Sequence, residues 1–449
     1  MGAFIVLFFT QTASYAQDYV GSFEFDGYTR EYEVYLPQNI QANMPLVLSL
    51  HGIWNTIGWY KTYTLMHEVA DTMGFVIVYP EGIPTPTTGC SWNSGLVDPS
   101  KWFPDTDDVS FLSALIDTMK SKWDIDLSRV YCCGFSLGGQ MSFRMAGECG
   151  YRFAAVAAVC SPLFGLADTW HLVRPMPVLH MAGTADPMLP WEGFGDKWSM
   201  EELIEYWVEK NQCTLPADTV SLPDIVPSDN CTVEKISYRN CSGESEVIHY
   251  KIIGGGHNWP SSAFPNPFGG NRNMDINANL EILNFFKNYS IQIFNVLNME
   301  ILTPSTGDQV SGQTTISWSF EDQPESHAIT ISWSNNAGRT WQKLWTVQSG
   351  DNTYLWDTQL VPDGTKYMLR LVAVGDSTYA WTQSAGTFTV NNPGPALPEI
   401  ELIDPQNGEV ISGEFDITWS AADADGDLLL ISLNASSDDG SSWISVLSD

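Results

Sequence analysis

Two hydrophobic patterns alternate along the first two thirds of the chain, from about residue 20 to about residue 290. Continuous apolar runs are typical of strands that are buried on both faces of a parallel sheet. Such runs occupy residues 45–50, 75–79, 129–133, 153–159 and 176–180. Segments with the period of amphipathic helices lie between and after them, at 63–73, 107–123, 200–207 and 277–286. The alternation predicts an α/β domain with a doubly wound, mostly parallel sheet.

Helical periodicity ends near Asn288, and short alternating segments rich in Thr, Ser, Trp and Gly follow. Two pairs of these segments match each other, 303–318 with 404–419 and 334–341 with 436–443. This internal repeat predicts two all-β sandwich modules, at 300–391 and 399–449, similar to fibronectin type III or immunoglobulin-like domains. A proline-rich linker at 392–398 joins them. Because the second copy stops at Asp449, about half-way through its repeat, we expect it to be truncated.

The N-terminus, residues 1–16, has an apolar stretch followed by Ala-Ser-Tyr-Ala. This pattern predicts a secretory signal peptide that is cleaved after Ala16, although the usual basic start of such a signal is missing. A buried first strand is the alternative. No later apolar run is long enough to span a bilayer, so no membrane span is expected. We therefore predict a secreted protein whose α/β domain occupies residues 17–292.

Length and charge narrow the class of protein further. A chain of 449 residues is too long for one compact core, and its 44% hydrophobic content is that of a globular protein. The formal net charge of −33 argues against nucleic acid or an anionic membrane as a partner.

Eight cysteines in an exported chain predict disulfides. Cys213, Cys231 and Cys241 lie in one loop-rich stretch, where we expect two of them to pair, with Cys213–Cys241 as the first choice. Cys132 and Cys133 are adjacent on a strand, point to opposite faces and are expected to be core residues.

No Cys or His spacing is typical of a metal site, and neither metal nor cofactor is expected. Residues 423–427 are similar to the start of a calcium loop, but Asn434 stands where an EF-hand places its last glutamate. Calcium there stays an alternative. Residues 436–443 resemble an Asp-box, and a hairpin turn explains them most simply.

Ser136 carries the strongest chemical signal. It is the centre of Gly-Phe-Ser-Leu-Gly-Gly (134–139), which comes directly after an apolar run and directly before a helical segment. A strand, Gly-x-Ser-x-Gly and a helix form the nucleophile elbow of an α/β-hydrolase, in which a sharp turn lifts the serine hydroxyl towards substrate.

The triad partners of such a serine follow it in the order acid, then histidine. Asp186 follows the apolar run 176–181, at the carboxyl end of a strand, where ligands bind in open α/β sheets. His257 follows the strand-like run 246–253 and three glycines that let its loop fold back. A turn-capping aspartate and a structural histidine are the alternatives for the two residues taken singly.

These residues predict ester hydrolysis. His257 takes the proton of Ser136 as the serine attacks an acyl carbonyl, and Asp186 holds the imidazole tautomer. The oxyanion requires two N–H donors, each worth about 3–4 kcal/mol in the transition state. We expect the backbone of Leu137 and of Ile53 to supply them, with His51 bracing the second loop.

Four tryptophans lie just past catalytic loops or the carboxyl ends of strands: Trp54, Trp92, Trp191 and Trp259. We expect them to form a substrate rim, because aromatic walls suit a flat aromatic acyl group, a sugar or an apolar polyester. Burial in the core is the alternative for about half of them.

Six segments together resemble the secreted esterases related to poly(3-hydroxybutyrate) depolymerases, feruloyl esterases and acetyl xylan esterases, often grouped as carbohydrate esterase family one. In order they are 50–52, 79–82, 107–111, 134–139, 183–187 and 255–260. The resemblance covers about 30–290 and not the sandwich modules. It implies Ser136, Asp186 and His257 as the triad, with the same two oxyanion donors.

We therefore predict a secreted serine esterase that cleaves feruloyl or acetyl esters of cell-wall polysaccharides, with sandwich modules as spacers or binders of a polysaccharide or surface. A poly(3-hydroxybutyrate)-type depolymerase is the close alternative. Trp191 and Asn258 stand where the family commonly has tyrosine and threonine, which leaves specificity open. A non-catalytic adhesion protein would lack a triad member, and none is missing. A peptidase of the same fold stays open, because it differs in its amide leaving group.

Overall fold

The computed structural model describes residues 17–448 apart from several short segments. Those segments are 39–40, 87–88, 96–105, 165–166, 168–169, 171, 196, 292–294, 322–326, 339–340, 349, 376–377, 393–398, 407–408, 423–430 and 437–443. The predicted signal peptide, the calcium-like stretch, most of the linker and most of the Asp-box therefore lie outside the described residues.

A ten-stranded sheet forms the centre of the first domain, in the order β1-β2-β4-β3-β7-β8-β9-β12-β11-β10. Its strands are β1 Gln17–Phe25, β2 Tyr28–Leu36, β3 Met44–Leu50, β4 Val76–Pro80, β7 Ile125–Phe135, β8 Ala155–Val159, β9 Val178–Gly183, β10 Asp218–Ser221, β11 Thr232–Tyr238 and β12 Val247–Ile253; β5 Ile83–Pro84 and β6 Cys90–Ser91 pair separately. The six central strands are parallel, and two antiparallel strands extend each edge. The α/β fold prediction is confirmed.

In the described part of the domain, six α-helices cover the two faces of this sheet. They are α1 Ile57–Thr64, α2 Met66–Met73, α3 Asp108–Lys122, α4 Leu137–Cys149, α5 Met200–Lys210 and α6 Ala278–Phe286. Helices α3, α4 and α5 bury their apolar sides in one core, and α1, α2 and α6 in the other. The continuous apolar strands follow from this, because each strand contributes side chains to both cores.

The helical segment predicted at 63–73 is not one helix. Leu65 has a φ of 52°, ends α1 and precedes α2, so the chain turns between two short helices. Its N–H still donates to the Lys61 carbonyl at 3.0 Å, which satisfies one of the last carbonyls of α1. The apolar period continues across this break because both helices pack on the same core.

The cysteine predictions are confirmed. Cys213 and Cys241 form a disulfide, and Cys231 is a free thiol. Cys132 and Cys133, neighbours on β7, belong to the two opposite cores. Their thiols are fully buried and act as small apolar side chains.

Two sheets pack on each other after the α/β domain. Strands β14 Met299–Thr303, β16 Gln313–Phe320 and β19 Thr353–Asp357 form one sheet. The other contains β13 Asn295–Val296, β15 Gln309–Val310, β17 Ala328–Ser334, β18 Gln342–Gln348, β20 Gly364–Val374, β21 Thr378–Gln383 and β22 Phe388–Val390. Trp318, Trp333 and Trp356 lie in the core between them. A β-sandwich is present here, and its assignment to a particular sandwich family stays a prediction.

The last segment contains two separate strand pairs. These are β23 Glu399–Asp404 with β24 Thr418–Ala422, and β25 Ser432–Ala435 with β26 Ile444–Ser448. None of its side chains whose burial the structure describes is buried, so these pairs build no core of their own. Among the described helices of the whole chain, none has both the length and the apolar character needed to cross a bilayer.

Candidate active site

Ser136 occupies a strained turn between β7 and α4. Its φ of 54° and ψ of −122° lie in a region that side-chain-bearing residues rarely adopt. The turn leaves no room for larger residues on its inner side, since a Cβ on Gly138 would lie 2.2 Å from the Leu50 carbonyl oxygen. The Ser136 N–H donates to the Val159 carbonyl at 2.9 Å, which ties the turn to β8. This is the geometry predicted for a nucleophile elbow.

Asp186 and His257 meet at the carboxyl edge of the sheet, after β9 and β12 respectively. His257 Nδ1 and Asp186 Oδ2 are 2.7 Å apart, and both side chains are almost fully buried. The other carboxylate oxygen accepts from the backbone N–H groups of Met188 and Leu189, both at 2.8 Å. Because the carboxylate accepts, the imidazole proton is on Nδ1, and Nε2 is left as a base.

His257 packs against the residue that precedes the serine. Its ring centroid is 4.9 Å from that of Phe135. No hydrogen bond joins Ser136 Oγ to His257 within the described chain, a contact that is often long before substrate binds. The sequence predicted that Ser136, Asp186 and His257 lie at one edge of the sheet. In the structure, Asp186 and His257 contact each other directly.

The loop after β3 approaches Ser136 from the other side. A Cβ on Gly52 would lie 3.3 Å from Ser136 Cβ, so the following residue, Ile53, is close to the serine. The N–H of Ile53 has no hydrogen-bond partner among the described residues. The N–H of Leu137 is the first of α4 and has no partner within the helix. Both predicted oxyanion donors are thus available.

His51 braces this loop, as predicted. Its Nδ1 lies 2.7 Å from the Gly52 carbonyl oxygen, and its Nε2 accepts from the Gly82 N–H at 3.0 Å. Because a carbonyl oxygen only accepts, the contact with Gly52 places a proton on Nδ1. The Trp92 indole N–H donates to the His51 carbonyl at 2.9 Å, and Trp54 N–H donates to the Cys90 carbonyl at 2.8 Å.

The prediction of a four-tryptophan rim is wrong for Trp92 and Trp259, which are fully buried. Trp92 supports the His51 loop, and Trp259 donates from its indole nitrogen to Asn279 at 3.0 Å. Trp191 is also buried, at 8% exposure, and bonds to Glu201. Only Trp54, at 46%, presents its ring to solvent. The other three serve the fold because each is held within the core by its neighbours.

Sequence reasoning missed the segment that follows His257. Phe268 is 80% exposed and Met188, two residues after the acid, 38%. The loop 266–270, here the Phe268 loop, is fixed to the histidine: Asn266 Nδ2 donates to the His257 carbonyl at 3.1 Å, and His257 N–H donates to the Gly269 carbonyl. The sequence signal was a phenylalanine among prolines and asparagines soon after the histidine, without any period.

Cys160 lies beside the acid and the histidine. The ligand atoms of Cys160, Asp186 and His257 are all within 4.8 Å of one another. Burial, with the nearby Asp186 carboxylate, raises the pKa of the Cys160 thiol well above its usual value, so the sulfur is neutral. Because His257 Nδ1 and Asp186 are bonded to each other, this trio is an acid–histidine pair with a packed thiol rather than a metal site.

Residues 30–199 match the family model described as Esterase PHB depolymerase. The match lies within the α/β domain and does not reach the sandwich. A bifunctional acetylxylan esterase/xylanase, XynS20E, of Neocallimastix patriciarum is 32% identical over 53% of this chain and 32% of its own length. Feruloyl esterase B of Piromyces equi is 28% identical over 47% of this chain and 39% of its own.

Two further proteins are similar to this chain. Poly(3-hydroxyalkanoate) depolymerase C of Paucimonas lemoignei is 25% identical over 57% of this chain and 65% of its own. The solved acetyl xylan esterase from Aspergillus awamori shares 16% identity, with a TM-score of 0.43, over 60% of this chain and 99% of its own. The chain spans about a third of the first of these relatives and about two fifths of the second.

The burial of Trp259 and the exposure of Trp54 can be tested by mutation. We expect Trp259→Ala to lower the free energy of unfolding by about 3–5 kcal/mol, because it empties a core site. Trp54→Ala should change it by less than about 0.5 kcal/mol, because that ring is half exposed. Chemical denaturation of the full chain measures both. Equal losses for the two variants would contradict the assignment of Trp54 to the surface.

Proposed function

We propose that the chain is a serine carboxylic-ester hydrolase in which Ser136, His257 and Asp186 act as the catalytic triad. The observation that carries the proposal is the buried 2.7 Å contact between His257 Nδ1 and Asp186 Oδ2, at the same sheet edge as a serine held in a strained elbow. The family match at 30–199 supports the same reaction class.

The acylation step uses each group once. Asp186 accepts from Nδ1–H of His257, so Nε2 faces the serine as a base and takes the Ser136 proton. The freed Ser136 oxygen attacks the ester carbonyl carbon, and the N–H groups of Leu137 and Ile53 donate to the oxyanion that forms. The imidazolium then returns its proton to the departing alcohol, which leaves an acyl-enzyme.

Water completes the cycle in the opposite direction. His257, neutral again, takes a proton from water, which attacks the acyl carbon and forms a second oxyanion at the same two donors. Collapse of that intermediate returns the proton to Ser136 and releases the acid. Asp186 holds the imidazole in place throughout, because its two oxygens accept from the histidine and from two backbone N–H groups.

For the substrate we propose an acetyl or feruloyl ester of a plant cell-wall polysaccharide, supported by the names of the acetylxylan and feruloyl esterase relatives. A polyester is the second candidate. The exposed Phe268 and Met188 beside the triad favour it, because apolar groups around a site suit an apolar polymer.

We also propose that the protein acts outside the cell, with the sandwich serving as a spacer or as a binder of polymer. The Cys213–Cys241 disulfide supports an oxidising compartment. Trp345, 57% exposed on β18, offers an aromatic surface of the kind that binds sugars or polymers.

Replacement of the nucleophile tests the enzyme proposal. Ser136→Ala should lower kcat for p-nitrophenyl acetate by at least about 10⁴-fold, because the covalent route is lost. Ser121→Ala, an exposed serine on α3, is the matched control and should keep full activity. Retention of activity in Ser136→Ala would refute the proposed nucleophile, and inactivity of the wild-type chain would favour a binding protein.

A substrate panel separates the two substrate candidates. Methyl ferulate, acetylated xylan and a polyhydroxybutyrate suspension would be compared by release of acid. For a cell-wall esterase we expect Phe268→Ser to change kcat/KM on acetylated xylan by less than about threefold, because that side chain stands out in solvent. A loss of more than tenfold confined to the polyester suspension would instead assign the chain to polyesters.

A further inference from the structure

Two histidines of the hydrolase domain lie in the core, away from the triad. His180 on β9 and His249 on β12 are register partners on adjacent parallel strands. Their rings stack with centroids 5.0 Å apart, and their Nδ1 atoms are 3.1 Å apart. Both are buried, and the proposed reaction gives neither a role.

The next contact leads towards the nucleophile. His180 Nε2 lies 3.1 Å from the carbonyl oxygen of Ser161, a residue just after β8. The Ser161 hydroxyl in turn lies 2.6 Å from the carbonyl oxygen of Ser136. The Val159 carbonyl, 3.1 Å away, is the longer alternative for the single hydroxyl proton.

Elementary chemistry fixes where each proton is. A carbonyl oxygen only accepts, so His180 carries its proton on Nε2 and donates to Ser161. Burial lowers the pKa of His180 to about 3, so the ring is neutral and its Nδ1 is a bare acceptor. The proton between the two Nδ1 atoms therefore belongs to His249. Burial, with His180 and Lys251 nearby, lowers the pKa of His249 well below its usual value, so this ring is neutral too.

All donors consequently point the same way, from His249 to His180, then to Ser161, then to the Ser136 carbonyl. This series of hydrogen bonds starts at His249, whose Nε2 is a buried acceptor without a partner in the described residues. Trp191 covers this end, with its ring 5.5 Å from that of His249, and Lys251 lies over the Trp191 ring at 4.8 Å.

The last hydrogen bond of the series, from Ser161 to the Ser136 carbonyl, holds a peptide unit that has a proposed catalytic role. The Ser136 carbonyl and the Leu137 N–H belong to the same planar peptide group, so fixing one fixes the other. Gly139 N–H at 2.9 Å and Gln140 N–H at 3.1 Å also donate to that carbonyl, as expected for the first turn of α4. The Ser161 hydroxyl adds a third donor from outside the helix.

We infer that His180 is a positioning residue: through Ser161 it orients the Ser136–Leu137 peptide, and so aims the Leu137 N–H at the oxyanion. This rests on the proposed ester hydrolysis. His249 fixes the His180 tautomer, and the strained turn at Ser136 is held by its bonds to β8 and to Ser161 as well as by α4.

Because the hydrogen bonds run from His249 to His180, we expect replacement of the two histidines to lower kcat to different extents. His180→Phe should lower kcat for p-nitrophenyl acetate by on the order of 10- to 100-fold with KM within about twofold, because a transition-state donor loses its aim. His249→Phe removes only a donor to His180 Nδ1 and should cost less than about threefold. His180→Gln, whose amide both donates and accepts, should recover most of the loss. Equal losses for the two Phe variants, or none for His180→Phe, would overturn the inference.

Two further measurements remove the ambiguity of a poorly folded variant or an inactive wild type. Val178→Ala, on the same strand and face as His180, should lower the melting temperature but leave kcat of the folded enzyme unchanged. Nitrogen-15 NMR of the wild-type rings should show the proton on Nε2 of His180 and on Nδ1 of His249, with or without esterase activity. The opposite tautomers, or a charged ring, would refute the chain of bonds even where the triad is correct.

Discussion

The turn at Ser136 constrains the rest of the active site. A positive φ on a residue with a side chain costs of order 1–3 kcal/mol, so the surrounding structure must impose it. Here the N–H of Ser136 is bound by β8, and its carbonyl accepts from the first turn of α4 and from Ser161. The glycine at 138 allows Leu50 and the oxyanion loop to come within contact distance. The consequence is a serine in a strained turn with the Leu137 N–H group beside it.

The parallel strands at the centre of the sheet bring together residues that are far apart in the sequence. Strands β7, β8, β9 and β12 lie side by side, and their carboxyl ends carry Ser136, Ser161, Asp186 and His257 in turn. The buried Asp186 carboxylate accepts from two backbone N–H groups of the loop after β9 and from the imidazole that the loop after β12 carries. Two tryptophans that were predicted to meet substrate fix the loops instead: Trp92 supports His51, and Trp259 packs behind Phe135. These two tryptophans therefore hold the loops rigid and do not form an aromatic wall.

Much of this could be predicted from the chain. The apolar runs determined the central strands, because a strand buried on both faces has no polar alternation, and the Gly-x-Ser-x-Gly turn has few other uses between a strand and a helix. The antiparallel edge strands and the break at Leu65 were not predicted, because half-exposed strands and short helices leave weak periods. The burial of the tryptophan side chains could not be deduced either. Trp54 and Trp92 both follow strand ends, yet only tertiary packing decides that one is half exposed and the other buried. The His180–His249 pair could not be predicted for the same reason, because it depends on the register between two adjacent strands that are distant in sequence.

Covalent labelling would show whether the pair formed by Asp186 and His257 activates Ser136. The full chain would be treated with a fluorophosphonate and the modified residue located by mass spectrometry, alongside His257→Gln. We expect a single adduct on Ser136, formed at least about 100-fold more slowly when the base is lost. An adduct on another residue, or labelling of Ser136 at the same rate in both proteins, would contradict it.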